Sequence, residues 1–231
     1  MTKKTAKEAK TAYSQTEILP SINVADFDEL KEKIRLVEEY TSPTKGGVKW
    51  AHIDVSDGTF TKHISWHEPK DLVELKTKLK LEVHLMIDKP EATIDEWLLK
   101  QVSRIIFHQE ATRDHKFLID KIHDAKKEAG IAIRPDTSWL KLFPYLKKVE
   151  VLQLLSVPPG PSGQEFGDET IHKIGHIRSV CKECIIEIDG GVTKRVATRV
   201  VREGANLLVA GNAIFGAKDM GQAIKELKNG Q

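Results

Sequence analysis

A chain of 231 residues, 40% hydrophobic and 30% charged, can bury a full core in one large domain or two small ones and reads as a soluble globular protein. Its 36 basic residues nearly balance 34 acidic ones, a net charge of +2, so there is no broad field to hold nucleic acid. No apolar run approaches the roughly 18 residues of a membrane span, so a membrane is not an expected partner either.

Residues 1–17, MTKKTAKEAKTAYSQTE, carry lysines but no apolar core of a secretory signal. They read as a polar N-terminal tail preceding a fold over residues 18–231, with the cytoplasm as the expected location. Beyond them, short β-branched or apolar runs recur: EILPSI (17–22), VKWAHIDV (48–55), KLEVHLMI (80–87), SRIIFHQE (103–110), GIAIRP (130–135), EVLQLLSV (150–157), CIIEID (184–189) and NLLVAG (206–211). Each interval is long enough for a helix and a return crossover. DELKEKIRLVEEY places Leu30, Ile34, Leu36 and Val37 on an apolar stripe among lysines and glutamates. PEATIDEWLLK opens with Pro90 and Glu91, as a helix N-terminus prefers, and DETIHKIGHIRSV repeats the stripe at Ile171, Ile174 and Ile177 behind Asp168. Eight strand–helix units predict a single-domain (β/α)8 TIM barrel, since the alternative, a doubly wound open sheet, usually has five or six strands.

In such a barrel the chemistry sits at the C-terminal ends of the strands. Those ends carry Ser21, His52 with Asp54, His84 with Met86, His108 with Glu110, Arg134, Ser156 and Asp189. Taken singly, each has an ordinary reading. His52 and Asp54 share a strand face and suit either a divalent metal or a structural hydrogen bond; His84 reads as a satisfied core histidine; Asp189, before two glycines, reads as a turn or cap residue. Taken together, two histidines and two aspartates on strand ends complete a site for one divalent ion.

Three glycine-bearing stretches follow the last strands: PPGPSGQEF (158–166), DGG (189–191) and AGNAIF (210–215). Backbone N–H groups at glycine can approach phosphate oxygens with no Cβ in the way, so three adjacent loops favour a phosphate site over ordinary turns. The stretch FTKHISWHEP, with Lys62, His63, Trp66 and His67, reads equally as a lid or as a solvated loop. His108 and Glu110 suit a supporting or a helix-capping role, and His115, His123, His172 and His176 read as surface residues. Cys181 and Cys184 read as loop cysteines near a helix end, ahead of a redox pair or half of a zinc site.

An ordered set of segments resembles the ribulose-phosphate 3-epimerase family over about residues 18–225: PSI with ADF (20–27), HIDVSDGTF (52–60), VHLMI with KPE (83–91), FHQEA (107–111), PDTS (135–138), SVPPGPSGQEF (156–166), IEIDGGV (186–192) and GANLLVAGNAIF (204–215). The resemblance implies a (β/α)8 barrel with one divalent cation (Zn, Fe, Mn or Co) that interconverts D-ribulose 5-phosphate and D-xylulose 5-phosphate, a step of the pentose phosphate pathway. It implies metal ligation by His52, Asp54, His84 and Asp189, and acid/base roles for Asp54 and Asp189. It implies sugar-phosphate contacts at Ser21, His52, His84, Met86, Gly160, Pro161, Ser162, Gly163, Gly190, Gly191, Gly211 and Asn212, and a homo-oligomer. Epimerisation at C3 removes a proton beside the C2 ketone and returns one to the opposite face, which needs two carboxylates and a Lewis acid for the enediolate.

The chain departs from the family pattern at Ser56 and Leu155, where methionines are usual, and at Lys62-His63 in place of Pro-Asn. It departs again at Ser162 in place of glycine and at Asn212 in place of serine. A related ketose-phosphate 3-epimerase, such as one for allulose 6-phosphate, is the nearest rival reading. A hexulose-phosphate synthase or decarboxylase is more distant, because HIDVSDG lacks the lysine of an Asp-x-Lys motif. A non-catalytic sugar-phosphate binder would need neither the histidines nor both aspartates.

Overall fold

The computed structural model describes residues 16–229, so the expected tail lies, but for its last two residues, outside the described residues. Eight parallel strands close in chain order: β1 (Glu17–Ile22), β2 (Trp50–Ser56), β3 (Lys80–Met86), β4 (Val102–His108), β5 (Glu128–Ile133), β6 (Val151–Leu155), β7 (Ile185–Asp189) and β8 (Leu207–Ala210). The helices are α1 (Phe27–Glu38), α2 (Ile94–Trp97), α3 (His115–Asp124), α4 (Glu169–Val180), α5 (Lys194–Glu203), α6 (Asn212–Phe215) and α7 (Met220–Lys228). The expected barrel is the observed one.

Alternation along each strand builds two cores. Outward residues such as Ile53, Val55, Val83, Leu85, Ile105 and Phe107 pack beneath the helices. Inward residues Leu19, Trp50, Ile106, Ala132, Val151, Leu155, Leu207 and Val209 fill the barrel itself. α1 starts where Asp26 accepts the Glu29 N–H at 2.9 Å, and it buries Leu30, Ile34 and Val37. Leu36, expected on the same stripe, sits at its margin, half-buried.

Some connections depart from the helical expectation. Pro69–Glu74 and Trp139–Tyr145 are 3-10 turns, and the second contains Pro144, which cannot donate an α-helical hydrogen bond. The helix expected over PEATIDEWLLK breaks at Thr93, whose φ of −122° and ψ of −3° separate a 3-10 turn (Pro90–Ala92) from α2. Asp168 precedes α4 without capping it by a side-chain hydrogen bond; its carboxylate instead accepts from Arg199 Nη1 at 2.7 Å. Cys181 and Cys184 lie in the loop after α4, as expected of them, and they are joined as a disulfide because the turn brings their Cα atoms to 5.5 Å. His123, His172 and His176 are exposed, but His115 is half-buried and donates from Nε2 to the Gln109 carbonyl at 2.9 Å.

Candidate active site

Residues two apart on a strand share a face, and parallel register extends that face to the neighbouring strands. Asp54 pairs with His84 across β2 and β3, and Leu155 pairs with Asp189 across β6 and β7. Four polar groups thereby converge at the upper end of the barrel. Asp54 Oδ1 lies 3.2 Å from His52 Nε2 and 3.0 Å from His84 Nδ1. Asp189 Oδ2 lies 4.0 Å from the same His52 nitrogen and 3.6 Å from the same His84 nitrogen. One donor atom from each residue falls within a 4.8 Å group. Four donors about 2.1 Å from a tetrahedral ion would be about 3.4 Å apart, and the observed separations bracket that spacing. Two imidazole nitrogens and two carboxylate oxygens could hold one divalent ion of the Zn, Fe, Mn or Co kind.

Each histidine is held from behind. His52 Nδ1 lies 2.6 Å from Glu82 Oε1. His84 Nε2 is 3.0 Å from His108 Nε2, and His108 Nδ1 is 3.2 Å from Glu110 Oε2. Glu110 also accepts the Arg134 N–H at 2.9 Å, so His108 and Glu110 support His84 and cap no helix. With His84 Nδ1 turned to the carboxylates, its Nε2–H donates to His108, whose Nδ1–H donates to Glu110.

Burial works against charge throughout, and partners decide the outcome. Burial alone would raise the Asp54 carboxyl, but His52 and His84 outweigh it and hold Asp54 far below the usual carboxylate range. Burial and the negative charge of Asp54 push Asp189 up to about 7. Burial would lower His52, yet Asp54 and Glu82 raise it well above the usual imidazole value. Burial lowers His84, and it lowers His108 to about 4. Glu110 is brought down to about 2 against its burial by the His108 and Arg134 hydrogen bonds. Two carboxylates a few ångströms apart thus differ widely in basicity.

Above them opens a cavity of about 490 Å³ lined by Ser21, Asp54, Met86, Leu155 and Asp189, and by all three glycine loops. Gly160, Pro161, Ser162 and Gly163 come from the loop after β6, Gly190 and Gly191 from the end of β7, and Gly211 with Asn212 from the start of α6. Ser21 Oγ donates to Asp54 Oδ2 at 2.7 Å. Gly163 has φ +88°, and a Cβ there would stand 2.8 Å from Asn212 Nδ2, so the loops after β6 and β8 meet closely. His52 and His84 are fully buried just below this cavity. Ser56 is also fully buried, and its Oγ has no hydrogen-bond partner among the described residues.

The stretch after β2 is tied across the mouth. Thr61 Oγ1 donates to the Pro159 carbonyl at 3.0 Å, and Asn23 Nδ2 donates to the Gly160 carbonyl at 3.0 Å. His63 Nε2 lies 2.9 Å from Asn23 Oδ1. Trp66 is buried with its indole N–H on Asp71, whereas Lys62 is exposed. His67 is half-buried and donates from Nδ1 to the Ser65 carbonyl at 2.7 Å.

Sequence reasoning missed the layer beneath. Glu82, Arg104, Gln153 and Glu187 are all fully buried inside the barrel. The missed signal was the period of two: Glu82 precedes His84, Glu187 precedes Asp189 and Arg104 precedes His108 by even steps, so each faces inward with its partner. Asn23 and Thr61 were also missed, since neither carries chemistry that stands out in a loop.

The family model described as the ribulose-phosphate 3 epimerase family matches residues 17–215. The chloroplastic ribulose-5-phosphate-3-epimerase of Arabidopsis thaliana is 35% identical over 225 residues, covering 94% of this chain and 78% of the relative. The ribulose-phosphate 3-epimerase of Bacillus subtilis is 34% identical over 217 residues, covering 91% and 97%. Among solved structures, a 3-hexulose-6-phosphate synthase from Salmonella typhimurium superposes with a TM-score of 0.67 at 11% identity, covering 93% of this chain and 98% of that one, a likeness of fold alone. With the family pattern spanning both the barrel and the residues gathered at its mouth, the chain belongs to the ribulose-phosphate 3-epimerase family and is an isomerase.

Proposed function

We propose that the protein is a metal-dependent epimerase acting at C3 of D-ribulose 5-phosphate and D-xylulose 5-phosphate, with His52, Asp54, His84 and Asp189 as metal ligands. The observation that carries this reading is the convergence of two carboxylates and two neutral-capable imidazoles under a cavity walled by glycine loops. A bound divalent cation would supply Lewis acidity for the negative charge that develops on the sugar oxygens. The chain's own residues do the rest.

Asp54 and Asp189 enter from β2 and β7, strands separated by β1 and β8, so they reach the cavity from different walls. One takes the C3 proton and the other returns a proton to the opposite face; which acts first depends on the direction of reaction. In the metal-free site Asp189 is the more basic of the two; in the reaction one carboxyl must be charged while the other carries a proton. Ser21 keeps Asp54 in place through its hydrogen bond. Met86 and Leu155 supply apolar wall that shields the planar intermediate from water. The loops 160–163, 190–191 and 211–212 grip the phosphate, so remote binding energy holds C3 between the carboxyls. The cytoplasm and a homo-oligomeric state belong to the same reading; among the described residues no helix is long and apolar enough to cross a membrane.

Chelator-stripped protein is expected to lose conversion of D-ribulose 5-phosphate, with Zn, Mn, Fe(II) or Co restoring it at one equivalent per chain. Metal must displace at least the Asp189 proton, whose pKa in the metal-free protein is about 7. The His52 proton, held well above the usual imidazole value, must be displaced as well, so apparent metal affinity should fall by more than tenfold per pH unit below about 7 and still rise with pH above it. Full activity in metal-free protein would contradict the proposal.

A further inference from the structure

Beneath the four candidate ligands lies a row of charge, sealed inside the barrel except for the partly exposed Glu128 at its end. His52, Glu82, Arg104 and Glu128 are successive register partners across β2, β3, β4 and β5, so all four turn inward. His52 Nδ1 is 2.6 Å from Glu82 Oε1, and Arg104 Nη1 donates to Glu82 Oε2 at 2.5 Å. Arg104 then donates through Nε and Nη2 to Glu128 Oε2, at 2.8 and 2.5 Å. Its guanidinium carbon stands 4.1 Å over the Trp50 ring. His52, Glu82 and Arg104 are wholly inaccessible.

Stability alone does not account for this row. Well-packed apolar side chains of similar volume are commonly as stable as a buried ion pair, or more so, because desolvating the charges offsets their attraction. Direction does account for it. A guanidinium is always charged and only donates, so the Glu82 oxygen facing Arg104 accepts, and an anionic Glu82 presents its other oxygen to His52 as an acceptor too. With Nδ1–H held by Glu82, Nε2 is the His52 nitrogen that faces Asp54 and Asp189, and a metal bound there would take the place of the Nε2 proton. Glu187 Oε1 stands 4.0 Å from the same Nδ1, too far to replace Glu82.

We infer that Glu82 and Arg104 are positioning residues of the metal centre, Arg104 anchoring Glu82 and Glu82 fixing the ring and tautomer of His52 so that Nε2 is the ligand. The inference rests on the metal-centre reading above. Partners of this kind typically change metal affinity by about 10- to 100-fold.

Two variants of the full chain test it, with Co(II) or Zn affinity measured against a competing chelator and the Co(II) absorption spectrum as a second readout. The double variant Glu82→Leu/Arg104→Met removes both buried charges together, and Glu128, which loses Arg104, is partly exposed and can turn to water. It is expected to melt, in chelator, no lower than the parent, yet to bind metal about 10- to 100-fold more weakly with an altered Co(II) spectrum. Glu82→Gln keeps the shape and so serves if the double variant does not fold. Arg104 draws the amide oxygen, which turns the NH2 toward His52 Nδ1 and moves the ring proton to Nε2, where it blocks the metal. Nitrogen-15 NMR of the metal-free variant should show that tautomer exchange, and affinity should fall as in the double variant. Parent-like affinity and spectrum in whichever variants fold would overturn the inference and leave the row purely structural. Parent protein that binds neither Co(II) nor Zn would overturn the metal-centre reading and this inference with it.

Discussion

Asp54→Asn is expected to lower turnover of D-ribulose 5-phosphate by at least about 10³-fold, since a positioned acid/base group contributes about 10²- to 10⁴-fold and this residue is a metal ligand as well. The substitution is close to isosteric. Ser21 Oγ can still donate to the remaining carbonyl oxygen, and the 2.7 Å contact need not be lost. The glycine loops that would grip the phosphate come from the other side of the cavity, after β6, β7 and β8. Binding of a reduced, unreactive pentitol 5-phosphate should therefore stay within a few-fold of the parent by calorimetry. A sugar-phosphate binder with no catalytic duty would show the same binding and no activity in either protein. Parent-like activity in the variant would remove Asp54 from the chemistry altogether.

Gly191→Ala should act at the opposite end of the substrate. Gly191 has φ +58°, a left-handed conformation that costs an L-residue about 1–2 kcal/mol. A Cβ at this position would also stand 2.5 Å from the Phe166 backbone nitrogen and 2.8 Å from its Cα. Neither atom is the end of a flexible side chain, so the loop after β6 must move as a whole. That loop contributes Gly160 to Gly163 to the cavity, and it is tied to Asn23 and Thr61 across the mouth. Displacing it should raise KM about tenfold or more with a smaller fall in kcat, together with a lower melting temperature. Michaelis kinetics on both sugar phosphates and a thermal melt check this. An unchanged KM with a lowered melting temperature would separate the glycine turn from phosphate binding.

The barrel was legible because its strands are short β-branched runs with polar residues at their ends, and a parallel strand buried on both faces has little other choice of sequence. His52, Asp54, His84 and Asp189 stood out for the same reason: charge at the end of an apolar run is costly without a purpose. Glu82 and Arg104 escaped notice because they lie near the beginnings of their strands, where charge reads as the solvated edge of the sheet. Only closure of the barrel turns them inward and seals them against Trp50. The helix expected from Pro90 was lost to Thr93, a residue whose backbone angle no local pattern foretold. His115 read as a surface residue, yet the preceding turn brings the Gln109 carbonyl to its ring. Long-range closure decided Glu82 and Arg104, and periodicity carries no information about it beyond which face a residue takes.

The most direct test of the central claim is proton NMR of D-ribulose 5-phosphate in D2O with metal-loaded protein. The two-carboxylate account predicts that D-xylulose 5-phosphate appears with deuterium at C3, since Asp189 borders the open cavity and can exchange its proton with solvent. It also predicts that epimerisation collapses in Asp54→Asn, with any C3 exchange that survives confined to the one epimer whose proton faces Asp189. Folded, metal-loaded protein that produces neither the epimer nor C3 exchange would contradict it.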